Sequence, residues 1–190
     1  MRSGLAALTA DEPTLARAAV VEGLFAALWF SWGPADPSAR LAAVTGSGAV
    51  LALVVALAGL VAGRRVRDRP TAMREASVQR RYLRVVAGEF VLLIAVGVLI
   101  GVTLGAAWAA VWVCAVVGLH FLPLARVLPG LGLTVLGATI TLLAVAALAV
   151  GLLTDVPPTA VTGTGAGLLL LLAAVAALAE LAGRRRTAVE

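Results

Sequence analysis

The chain has 190 residues, 62% of them hydrophobic and 13% charged, with a mean hydropathy of +1.05, whereas soluble domains are roughly 45–50% apolar and about 25% charged. This balance excludes an ordinary water-soluble globular domain and points to long apolar runs. The net charge of +5 is carried by fifteen arginines and no lysine. Arginine beside the ends of apolar helices sets membrane orientation, so no nucleic-acid partner is needed to explain the excess.

In chain order, Asp11, Glu12 and Pro13 precede the first apolar run, which reads as a retained span and not as a cleaved signal peptide. Asp11 is suited to cap a helix and Pro13 to occupy its first turn. A span needs about 20 mostly apolar residues, and six runs qualify: 15–33, 41–62, 83–104, 106–124, 131–152 and 161–182. Turn-forming residues separate them at 33–37, around Pro123, Pro129 and Gly130, and at 155–158, and a basic loop covers 63–82. As one helix, residues 83–124 would reach about 63 Å, twice the depth of a bilayer core, so a tight hairpin is expected at 103–107. The expected fold is all-α: a single transmembrane domain over 1–190, an integral membrane bundle of six helices arranged as three hairpins.

The arginines alternate with the spans. Arg2, Arg17, the eight between Arg64 and Arg84, Arg126, Arg184, Arg185 and Arg186 fall on one side, and Arg40 alone falls on the other. This bias predicts cytoplasmic termini in a bacterial cytoplasmic membrane. The loop from Arg64 to Arg84, with Asp68 and Glu75 interspersed, fits anionic lipid headgroups or a cytoplasmic partner, or serves only to fix topology.

Gly97, Gly101 and Gly105 form a small-residue ridge at four-residue spacing, repeated at Gly59/Gly63 and Gly163/Gly167. Such ridges let helices approach closely, either within the bundle or at a seam with a second copy or another membrane protein. A faint repeat pairs Arg17 and Glu22 with Arg84 and Glu89 at the same five-residue offset, while Leu131 stands where the fifth span would carry the acid. Cys114 lies inside an apolar run and reads as a packing residue.

Ionisable groups inside spans are costly and are functional candidates by default. Three qualify: Glu22, Glu89 and His120. Glu22 and Glu89 each stand about 7–8 Å along their helices from an arginine, and His120 about 9 Å from Arg126. All three therefore fall in one layer, where a Glu–His contact between antiparallel neighbours can act as a proton relay, orient helices, or simply sit near the interface. Thr45, Ser47, Thr103, Thr134, Thr139 and Thr141 are expected to bond to their own preceding turns and not to line a channel. The chain has no HExxH, Gly-x-Ser-x-Gly or P-loop spacing, so no catalytic residues and no cofactor are expected. The two acids and the histidine lack the spacing signature of a metal site.

Residues 118–125, Gly118-Leu119-His120-Phe121-Leu122-Pro123-Leu124-Ala125, resemble the Gly-Leu-His-Phe-x-Pro-Leu-Ala run of small bacterial multi-pass membrane proteins that have no established activity. The resemblance also takes in Glu89 and covers about 40 residues of the hairpin; it implies a membrane bundle with Glu89 and His120 as its polar positions. Two functional readings follow. One is a small transporter or proton-linked permease using Glu89 and His120, and the other is an accessory subunit that binds another membrane protein through glycine-rich faces.

Overall fold

The first helix begins where Asp11 accepts a hydrogen bond from the Thr14 amide at 2.8 Å, with Pro13 in the opening turn. In this computed structural model, residues 10–33, 38–67, 76–128, 130 and 132–187 are described. Their regular structure is entirely helical: α1 (Glu12–Ser31), α2 (Ala39–Arg65), α3 (Ala76–Thr103), α4 (Ala106–Val127), α5 (Leu133–Leu153) and α6 (Pro158–Thr187). Six helices are long and apolar enough to cross a membrane, and the protein is a multi-pass helical bundle. The expectations that fall on Arg2, residues 34–37, Asp68, Arg69, Arg74, Glu75, Pro129 and Leu131 lie outside the described residues.

Helix ends differ from the apolar runs for a consistent reason. α3 starts at Ala76 instead of 83, and α6 extends from Pro158 to Thr187, beyond the run 161–182. Arginine, glutamine and alanine are good helix formers, and arginine carries its charge to water on a long stem, so a helix outlasts its hydrophobic stretch. The 63–82 segment is accordingly shorter as a loop than expected, because 76–82 belongs to α3. The hairpin at 103–107 is present: α3 ends at Thr103, and Gly105 at φ +98° opens α4. A side chain would be strained at that angle.

The helix pairs α1–α2, α4–α5 and α1–α6 pack antiparallel, as the neighbours of their glycines reveal. Gly23 meets Ala52 and Ala56, while Gly59 meets Ala19 and Val20; Gly118 meets Thr141; Gly163 meets the Trp29 and Trp32 carbonyls. α6 is the hub, packing on α1, α2, α4 and α5, whereas α3 packs extensively on α4 alone. Arg184 near the end of α6 donates to the Ala10 carbonyl at 2.7 Å, so the start of α1 and the end of α6 share one end of the bundle.

The radial distribution inverts that of a soluble protein. Alanines at 19, 26, 52, 110, 147, 166 and 174 are fully enclosed, while large side chains such as Val102 (82%) and Leu153 (82%) are exposed. Lipid solvates leucine as well as a core does, so close packing of small residues holds such helices together. The expected ridge needs correcting on this point. A methyl group added at Gly97 or Gly101 would meet α4 at 3.6 and 3.8 Å, ordinary contact distances, and Gly105 lies in the turn with open space around it. The tight seams are at Gly118 and Gly137 between α4 and α5, at Gly23 and Gly59 between α1 and α2, and at Gly163 and Gly167 against α1. The α3–α4 hairpin is joined more loosely, with Trp112 Nε1 donating to the Leu92 carbonyl at 3.3 Å.

A candidate intramembrane polar site

Glu89 lies sixteen residues before Gly105 and His120 fifteen after it. In an antiparallel hairpin folded at that glycine, equal distances from the turn put the two residues at equal height. Azimuth then decides whether they meet, and they do: His120 Nδ1 stands 3.1 Å from Glu89 Oε2, with the side chains 10% and 13% exposed. This is an ion-pair distance without hydrogen-bond alignment, since Nδ1 has no aligned acceptor. Phe121 lies edge-on to the imidazole, the ring centroids 5.7 Å apart. Pro123, one turn further on, lies inside α4 and cannot donate to the Leu119 carbonyl, which leaves that backbone oxygen without its helical partner.

The pair faces a cavity of about 470 Å³ bounded mainly by α1, α3 and α4. Glu22, buried at 6% exposure on α1, lines the same cavity. The three ionisable residues singled out in the sequence therefore open onto one space, although only Glu89 and His120 form a contact pair. Tyr82, Thr14, Arg17, Phe25 and Phe90 also line it. Sequence reasoning took Arg17 only as a charge at a helix end and passed over the others, whose signal was weak: Phe90 adjoins Glu89, and Thr14, Phe25 and Tyr82 lie one or two turns from an acid on their own helix. Glu22 also borders a second space of about 460 Å³ between α1, α5 and α6, where Thr139 and Glu180 contribute. It thus stands between two cavities.

Five of the six hydroxyls expected to bond to their own preceding turns do so, Thr134 being the exception. Thr45 donates to the Leu41 carbonyl at 2.9 Å, Ser47 to Ala43 at 2.7 Å, Thr103 to Leu99 at 2.7 Å, Thr139 to Val135 at 2.9 Å and Thr141 to Gly137 at 2.8 Å. Each is satisfied by its own helix. Cys114 is fully buried and points at the Ile140 carbonyl, 3.7 Å away. Among the described residues no group of three or more His, Cys, Asp and Glu side chains is arranged to hold a metal ion.

A carboxyl beside an imidazole can exchange a proton with it, passing between a neutral pair and an ion pair without changing the net charge. In hydrocarbon this matters, because an isolated charge is far costlier than a paired one. Comparison of the chain with protein-family models, curated proteins and solved structures finds no match.

Proposed function

We propose that this chain is a small proton-linked permease of a bacterial cytoplasmic membrane, with Glu89 and His120 as the proton-handling pair. The observation that carries this reading is the 3.1 Å approach of these two groups at the wall of a cavity inside the bundle. His120 takes up a proton from one side to give a cationic pair, Glu89 releases its own proton to the other side to leave the ion pair, and transfer from His120 to Glu89 restores the neutral pair. The arginine bias among the ends of the helices supports cytoplasmic termini, and the cluster from Arg64 to Arg84 suits the anionic headgroups of that leaflet.

Proteoliposomes loaded with a pH-sensitive dye test this reading. An imposed pH gradient should collapse faster than in empty vesicles, and Glu89→Gln should return the rate to the empty-vesicle level with helicity intact. Equal flux through wild type and Glu89→Gln would refute the assignment.

One observation favours a second reading, an accessory subunit. α3 has no buried residue, and Val91, Ile94 and Val98 are exposed along it. Such a face suits another membrane helix, from a partner or a second copy. Stoichiometric co-purification of a membrane partner, without flux, would favour that role.

A further inference from the structure

We propose that the cavity between α1, α3 and α4 binds a lipophilic organic cation, with its charge at the Glu22 carboxylate and its apolar body among Phe25, Phe90 and Phe121. This names the substrate class for the permease reading and rests on that reading for transport, though not for binding.

Glu22 is a buried acid, and among the described residues it forms no ion pair and accepts no hydrogen bond. A buried carboxylate without a counter-charge is costly, and this one borders an open space instead of packed side chains. Glu89, the other acid on the cavity, already has His120 beside it. Arg17 also lines the cavity, but its side chain is exposed and makes no ion pair with Glu22. The group left to answer a charged ligand deep in the site is therefore the Glu22 carboxyl, which can pair with a cation and not with an anion.

The walls determine the rest of the ligand. Beyond the polar side chains already named they are apolar, supplied by Val21, Val86, Val117 and Leu124 together with aromatic rings. Aromatic faces attract cations once water is excluded, and a cavity of about 470 Å³ is within the range that holds compact organic ligands. An inorganic cation would need several oxygen ligands, and here it would find carboxylates from separate helices and hydrocarbon between them. An organic anion would meet Glu22. A delocalised cation with an apolar periphery satisfies both the charge and the walls.

Tetraphenylphosphonium and tetraphenylborate share size and shape and differ in the sign of charge. With the full chain purified in detergent, equilibrium dialysis should show saturable binding of tetraphenylphosphonium and no competition by tetraphenylborate. Glu22→Gln should weaken binding at least tenfold, and Glu22→Asp should stay within a few-fold of wild type. Should Glu22→Gln fail to fold, Phe25→Ala and Phe90→Ala, at exposed positions, should each weaken binding at least threefold. The proposal is overturned by absent saturable binding, by equal competition from tetraphenylborate, or by wild-type affinity in Glu22→Gln or in both phenylalanine variants. Binding without proton flux in liposomes would leave this site standing and remove the permease. Glu89-dependent flux without cation binding would do the reverse.

Discussion

His120 and Glu89 are each other's polar partner in an otherwise apolar stretch of hairpin, so neither substitution acts alone. Replacing Glu89 by Gln or His120 by Phe should destabilise the bundle, and the double variant should cost less than the sum. The coupling should be about 0.6 kcal/mol, the average for polar contacts between membrane helices, read from reversible unfolding in mixed micelles. Additive losses would mean that the 3.1 Å approach contributes no mutual energy. That these residues share a depth was legible in the sequence, because an arginine marks one end of each helix. Their meeting was not, since depth leaves the rotation of each helix open. Glu22 illustrates the same limit: its height was readable, but its place beside two cavities depends on α1 packing against α6 across nearly the whole chain.

Among the helices, the spacing of glycines was visible and their partners were not. The motif at 97, 101 and 105 has the expected periodicity, yet Gly97 and Gly101 face α4 with room for a methyl group and Gly105 lies in the turn. Gly118, which belongs to no such motif with Gly137, is pressed against Thr141, where an added Cβ would approach backbone and hydroxyl atoms at 2.6 Å. Gly118→Ala should therefore lower stability by about 1–3 kcal/mol through overpacking, while Gly101→Ala should change it little. Thermal unfolding of the two variants in the same detergent checks the contrast, and the reverse order would contradict the packing described. At the end of α6, Arg184 holds the Ala10 carbonyl and pairs with Glu180. Arg184→Ala should raise amide exchange in the first turn of α1 and leave the α4–α5 seam unaffected.

Over the whole molecule, the antiparallel order places Arg17, Arg64, Arg65, Arg84, Arg126 and Arg184 towards one end and Arg40 towards the other. Reporter fusions at Ala35, Ala106 and Pro158 should all report the extracytoplasmic side; a cytoplasmic signal at Ala106 would reject the proposed orientation of the third and fourth spans. The six-helix count followed directly from composition because the bilayer imposes the length of each span. The choice of α6 as hub could not be read that way, since every span is rich in the same Ala, Leu and Val. That hub has a consequence for biogenesis. Ribosomes add about 5–20 residues per second, so α1 waits roughly 8–31 s between its own completion and that of α6, its main partner along with α2. Until α6 is made, Glu22 and the small-residue faces of α1, α2, α4 and α5, as each emerges, stand without the helix that encloses them. The nascent five-span intermediate is thus the form most in need of an insertase or a lipid-embedded chaperone, and the one most open to membrane proteases.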